Sequence, residues 1–368
     1  MKTIRRLIYG EVLYAVTFVT VGFLALFFFF DFVAEVQSIG RYAATGYRLV
    51  HAVTFVTLMI PSHLYELLPI TVLIGTIFVM ARFAQSSEFT ILRTSGLDPW
   101  RALSTLLVLG LGFVLLTFAV GDYLTPVADR TGQLLKARYQ GHITMGQTGA
   151  WLKERQNYSQ YAVNVNALES NGSMREIRIF EFDSQGFLVS MMHAETANYG
   201  EDESWSLNRV ERTEFPARGT DTARIERTHL DSFRWPNQLS SEMVSAALLK
   251  PERMRTVDLF QYIQHLQANA QTAQRYEIEF WKKVFYPLSC LVMVVLALPF
   301  AYLHFRSGGI ATYVFGGVMA GISFFLLNNV FGYIGNLQNW QPWLTAALPG
   351  MIYSVLSLTA FGWLVLRR

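Results

Sequence analysis

The sequence predicts an α-helical polytopic membrane protein with six transmembrane helices and an all-β, jelly-roll-like domain inserted between the third and fourth spans. Two observations predict it. Six apolar runs are arranged three and three, and the polar stretch between them, about residues 123–279, is patterned like strands. A bilayer core of about 30 Å needs roughly 20 mostly apolar residues per helical crossing. Composition agrees, because 52% of the 368 residues are hydrophobic, 14% aromatic and only 15% charged, where soluble chains carry roughly 25% charged residues.

The spans fall at Val12–Phe30, Leu67–Phe83, Ala102–Gly121, Phe285–Phe305, Ile310–Phe331 and Trp343–Leu366. The basic start, Met1–Arg6, resembles the flank of a secretory signal. The run behind it is long and is followed by Asp31 and Glu35 rather than a small-residue cleavage site, so it reads as a retained span. Short-loop cations set orientation. Lys2, Arg5 and Arg6, then Arg82, Arg93 and Arg101, then Arg306, then Arg367 and Arg368 all fall on one side of six spans. That side is expected to be cytoplasmic, with both termini there. The insert is then periplasmic in a Gram-negative inner membrane. The expected domains are residues 1–122, 123–279 with flanking helical connectors, and 280–368.

Within the insert, Tyr161, Val163 and Val165 alternate, Glu176–Phe182 (EIRIFEF) is β-rich, and Asp183–Gly186 (DSQG) supplies a turn. Further strand signals lie at Trp205–Val210 and Ala223–Ile225. Many short strands favour a sandwich or jelly roll. Leu259, Tyr262, Ile263 and Leu266 then fall at helical spacing, with Thr256 as cap, so a helix is expected to lead back to the membrane.

Chemistry is sparse. The sequence has no phosphate-binding loop, HExxH, CxxC or GxSxG, and no His and carboxylate cluster at metal-ligand spacing, so no metal site is expected. The one cysteine, Cys290, excludes an internal disulfide. No carboxylate lies deep within a span, which speaks against a proton relay. The net charge of +3 is ordinary for a membrane protein and does not point to nucleic acid. His63, near Glu66, reads as interfacial. Asn328 and Asn329 serve either interhelix bonding or substrate contact. Gly317 and Gly321 form a small-xxx-small pair that permits close helix approach. Lys282 and Lys283, beside Trp281, are either snorkelling anchors or ligands for an anion.

The connection AQSSEFTILRTSGLDPWR, Ala84–Arg101, carries the most information. Ser86 or Ser87 caps a short helix at about 86–96, Glu88 sits in its first turn, and Gly96 suits the left-handed residue that ends it. Asp98 and Pro99 read as the cap and first position of the next helix. Glu88, Ile91, Leu92 and Ser95 then share one side. This is either a docking surface or a loop helix lying on the bilayer.

SSEFTILRTSG (Ser86–Gly96), FWKKVFYPLSCLVMVVLALPFA (Phe280–Ala301) and FRSGGIATYVFGG (Phe305–Gly317) resemble the LptF/LptG family of lipopolysaccharide export permeases, the LptG branch more than the LptF branch. The resemblance runs over essentially the whole chain. It implies pairing with an LptF-like permease half, an LptB-like ATPase dimer that binds the ATP and Mg, and an LptC-like single-span protein. This chain itself would hold no cofactor and would not be an enzyme. The cargo would be lipopolysaccharide, taken from the inner membrane and passed to a periplasmic bridge toward the outer membrane.

The family's coupling-helix glutamate falls on Glu88, with Ile91, Leu92 and Arg93 beside it, and the jelly roll would run from Trp151 to about Trp235. Phosphorylated sugars need cations at the outer membrane surface, and the candidates are Lys136, Arg138, Lys282, Lys283, Arg41 and Arg48. Acyl chains need an apolar cavity, for which Phe27, Phe30, Phe324, Leu327 and Phe331 are the candidates. A family position that is often basic aligns with Asp31, so the phosphate contact is expected elsewhere. Two other functions fit the pattern less fully. One is a permease for another large amphipath, such as a lipoprotein or glycolipid, and the other is a membrane sensor with a periplasmic ligand-binding domain.

Overall fold

A computed structural model describes residues 2–86, 88–94, 96, 98–140, 149–156, 159–168, 173–200, 204–216, 224–236, 244, 251–302 and 309–363. Ser87, Ser95, Ala223, Phe305–Gly308 with Arg306, and Arg367 and Arg368 lie outside them. The described chain forms two compact units, one of residues 1–35, 56–128 and 277–368, the other of residues 36–55 and 129–276. The second unit thus takes in the outer end of the first helix and the start of the second, in addition to the insert.

Helices α1 (Lys2–Arg41) and α2 (Leu49–Gln85), whose residues 36–41 and 49–55 belong to the second unit, are far longer than the apolar runs that announced them. Forty residues rise about 60 Å, twice the hydrocarbon core, so the polar outer turns of α1 extend well past its apolar run. The short α3 (Glu88–Thr94) leads to α4 (Pro99–Ala119), which passes through a π turn at Val120–Leu124 into α5 (Thr125–Gln140). The fourth span is broken rather than continuous. Helices α7 (Gln274–Phe285) and α8 (Ser289–Ala297) meet at 45°, and α8 tightens into a 3-10 turn at Leu298–Tyr302. Pro287 sits in the break; it has no N–H to donate and its ring crowds the preceding turn. Helices α9 (Ile310–Leu337) and α10 (Pro342–Phe361) complete the set. Five helices, with the bent pair as a sixth, are long and apolar enough to cross a membrane, which is the expected number.

Lipid tails are as apolar as leucine, so helices in a bilayer associate through close packing and polar contacts rather than hydrophobic burial. One cluster joins Val12, Val16, Val79, Phe83, Leu106, Cys290 and Val294; another joins Leu73, Ile77, Met293, Ala297, Phe324 and Tyr353. Thr20 Oγ1 donates to Thr71 Oγ1 at 2.9 Å, tying α1 to α2. Gly75 lets the same two helices touch, since a Cβ there would lie 2.8 Å from the Val16 backbone. Gly317 and Gly321 face Ile77 and Ile70, at 2.7 and 2.8 Å from a built Cβ. This glycine pair therefore packs α9 on α2 inside one chain.

In the second unit, β1 (Ala150–Gln156), β2 (Ser159–Leu168), β3 (Met174–Phe182), β4 (Leu188–Tyr199), β5 (Ser204–Glu214) and β6 (Glu226–Pro236) form one antiparallel sheet in sequence order. Leu152, Val163, Ile179 and Met192 are register partners across four strands, and all are buried. The Tyr161 and Trp235 rings lie 6.1 Å apart although β2 and β6 are four strands apart. A flat sheet would separate those strands by about 19 Å, so the meander is rolled around its apolar face. The rolled shape agrees with the jelly-roll-like expectation, while the connectivity is simpler. Among the described residues no Greek-key crossover occurs, because every strand pairs only with its sequence neighbours.

The DSQG turn is built as expected. Asp183 Oδ1 accepts from the amides of Gln185 and Phe187, both at 2.9 Å, and Gly186 takes φ 85°. The strand expected at Ala223–Ile225 lies instead at Glu226–Pro236, where only Leu230, Phe233 and Trp235 are apolar and the alternation is weak. Helix α6 (Thr256–Ala268) buries Leu259, Tyr262, Ile263 and Leu266, as the spacing predicted. Its cap position is Arg255, and Thr256 is already the first helical residue.

Burial pushes the His265 imidazole on α6 below its ordinary value. The unfolded chain then takes up a proton that folded His265 refuses, so stability is intact above about pH 6.5 and declines as pH falls toward the folded value. The melting temperature of the full chain in detergent is expected to drop between about pH 7.5 and about 5.5, and His265→Gln to flatten that drop. Gly75→Ala is expected to cost about 1–3 kcal/mol because the Val16 backbone, together with its Cγ2, fills the space. Gly112→Ala, which meets nothing within 4 Å, serves as the control in the same denaturation assay.

Candidate functional site: the loop helix and the outer cations

Helix α3 is set by its ends. Ser86 does not cap it, because Ser86 Oγ donates back to the Arg82 carbonyl at 2.9 Å and finishes α2. Glu88 is the first helical residue, and Gly96 closes the helix at φ 99° with its amide on the Arg93 carbonyl at 3.0 Å. Asp98 and Pro99 start α4 as cap and first residue.

Successive helical residues point about 100° apart, which separates Ile91 from Leu92. Ile91 is 62% exposed and Glu88 is exposed, whereas Leu92 is half-buried against the first core cluster. The expectation that Leu92 shares the outward side is corrected on this point. The Arg93 guanidinium lies 5.2 Å from the centre of the Tyr302 ring, at the C-terminal end of span four. Leu92 and Arg93 thus hold α3 to the bundle, and Glu88 with Ile91 forms the face it presents.

Of the outer cations, those of span four are engaged within the chain. Lys282 Nζ donates to Glu279 Oε1 at 2.6 Å. Lys283 is buried and donates to the Gly121 carbonyl at 3.1 Å, in the π turn, with the Tyr65 ring centre 5.9 Å away. Gly121 has no room for a side chain there, since a Cβ would lie 2.3 Å from Tyr65. Lys283 therefore serves within this chain as a structural tie. Asp31, at a position from which no phosphate contact was expected, pairs with His63 at 2.6 Å, and Phe27 packs on the His63 ring at 4.8 Å.

The second unit collects the other cations. Tyr139 Oη and His51 Nε2 are 2.9 Å apart, and the Arg48 amide donates to His51 Nδ1 at 3.0 Å. With Nδ1 accepting, the proton sits on Nε2 and is given to the tyrosine oxygen. The Tyr47 ring lies 5.4 Å from Tyr139, and Lys136 Nζ sits 4.5 Å from the centre of the Phe55 ring. These contacts draw Arg48, Lys136 and Arg138 to one aromatic corner. The turn that ends α1 at Arg41 joins them, because the Tyr47 amide bonds the Tyr42 carbonyl at 3.2 Å. Arg41, Arg48 and Arg138 are exposed and form no ion pair with another described residue.

The apolar candidates divide as well. Phe324 is 2% exposed, edge-on to Tyr353 at 5.1 Å, and Leu327 packs on the same cluster, so both belong to the core and not to an open cavity. Phe331 is half-buried beside Trp340 at 6.2 Å, Phe27 is half-buried, and Phe30 is 59% exposed. Sequence reasoning missed the Asp31–His63 and His51–Tyr139 pairs, which span 32 and 88 residues and leave no local pattern. The carboxylate and imidazole types at the ends of two neighbouring spans were the one signal for the first. Among the described residues, no three His, Cys, Asp or Glu side chains gather as a metal site requires.

A family profile described as "Lipopolysaccharide export system permease LptF/LptG" matches residues 6–366. The chain is 26% identical over 340 residues to the lipopolysaccharide export system permease protein LptG of Escherichia coli K12, covering 92% of this chain and 90% of that protein. It is also 26% identical over 371 residues to the protein of the same name from Haemophilus influenzae, covering 100% of this chain and 99% of the relative. A match over nearly the full length, on six apolar spans interrupted by a sheet domain, places this chain in the LptF/LptG family of lipopolysaccharide export permeases.

Proposed function

We propose that this chain is one permease half of a pump that lifts lipopolysaccharide out of the inner membrane, powered by ATP hydrolysis in a separate cytoplasmic subunit. The observation that carries the reading is α3, a short helix braced against the bundle by Leu92 and Arg93 while Glu88 and Ile91 face outward. A permease without a nucleotide site of its own receives work through such a surface. The partners that fit are an LptF-like half, an LptB-like ATPase dimer holding ATP and Mg, and an LptC-like single-span protein. Both termini and α3 are then cytoplasmic, and the sheet domain is periplasmic.

In this mechanism, closure of the ATPase dimer displaces α3, narrows the space between the two permease halves and drives the lipid outward toward the sheet domain. The arginines beside the Tyr139–His51 pair meet the phosphates, since exposed cations near aromatic rings attract anions without first breaking an ion pair. The mouth of span four, with Lys282 paired and Lys283 buried, contributes little to that attraction.

A carboxylate facing a cation at a partly buried interface is worth up to a few kcal/mol at an effective dielectric of about 20. Glu88→Ala is therefore expected to weaken capture of the ATPase from mild detergent and to slow growth; full capture and wild-type growth would remove the role. Replacing Arg41, Arg48 and Arg138 together by Gln is expected to reduce crosslinking of lipopolysaccharide and its stimulation of ATP turnover. The same change at Lys282 alone is expected to do neither. Mass spectrometry of the proteins and lipid that copurify with the chain tests the whole reading, and a different copurifying amphipath would redirect it.

A further inference from the structure

Span four connects the face that α3 occupies with the outer ends of the other spans. Its middle, α8, is buried along nearly its whole length. Cys290 and Val294 belong to the first core cluster, and Met293 and Ala297 to the second. A helix shared by both clusters moves as a rod or not at all, because packed cores do not deform continuously.

Either end of the rod is a joint. At the inner end α8 gives way to the 3-10 turn Leu298–Tyr302, whose hydrogen bonds have poorer geometry than those of an α-helix. The outer end is the 45° bend around Pro287. A cation holds each joint to another element. Arg93 of α3 sits on the Tyr302 ring, and Lys283, just before the bend, holds the Gly121 carbonyl in the π turn of the third span. The four-carbon stem of lysine can keep its grip on a carbonyl while the bend opens or closes. Around that tie, Tyr65 packs against Tyr286 at 5.1 Å, and Tyr286 donates to the Glu66 carbonyl at 2.5 Å.

We propose that span four is the transmission element of this permease. Motion imposed on α3 enters it at Tyr302, through Arg93, and leaves it at Lys283, which draws the π turn of span three along. Tyr302 and Lys283 act as positioning residues; neither needs to touch lipid. The inference rests on the coupling role proposed for α3 and adds the path that follows it.

The test uses the full complex with its partner permease and ATPase, in vesicles containing lipopolysaccharide, and reads lipid delivered per ATP hydrolysed. Tyr302→Leu and Lys283→Met are each expected to lower that ratio by roughly threefold or more. Tyr302→Phe keeps the ring and is expected to match wild type. The double variant is expected to be no worse than the poorer single one, because two breaks in one path do not add. Should Lys283→Met fail to assemble, Lys283→Gln, with a donor on a shorter stem, is read in its place for the same loss. An unchanged ratio in the single variants, with delivery and hydrolysis falling together, overturns the inference, as does an additive loss in the double. A wild-type complex that moves no lipid defeats the proposed function instead, so the two failures are told apart.

Discussion

The constraint behind the rest of this structure is that a backbone crossing lipid must satisfy its own polar groups. Long uninterrupted helices meet it by their own hydrogen bonds, and α1 and α9 do so. Beside two departures from a straight helix a side chain bonds a backbone carbonyl of another segment. The π turn at Val120–Leu124 offers the Gly121 carbonyl to Lys283, and the break at Pro287 is framed by the Tyr286 bond to Glu66. Both interruptions occur where the chain passes between spans and insert. The polar residues that look most functional in a list of types, a lysine and a tyrosine near the membrane surface, are consumed in holding that passage together.

That constraint also sorts the charges. Cations on the bundle at span four are drawn into internal bonds, whereas Arg41, Arg48 and Arg138 are exposed and form no ion pair with another described residue. The Asp31–His63 pair fits the same division, since it presents no net cation at the outer end of α1.

Much of the fold was legible in the sequence because the signals were local. Apolar length gave the spans, DSQG gave its turn, the spacing from Leu259 to Leu266 gave α6, and Gly96 with Asp98 and Pro99 gave the limits of the loop helix. The site was legible only in part. Which way Leu92, Lys283 and Phe324 point depends on helices far away in sequence, and side-chain type alone cannot separate a core phenylalanine from a cavity-lining one. The rolled sheet was visible as strands but not as a roll, because the Tyr161–Trp235 approach joins strands 74 residues apart.

The order of the strands has a further consequence. A sheet in which every strand pairs only with its predecessor and successor has low contact order, and such topologies fold quickly. Each hairpin can zip as soon as its second strand is free, without waiting for any later segment. The insert can therefore be largely assembled before the fourth span is made, leaving few unpaired edges exposed to aggregation during biogenesis.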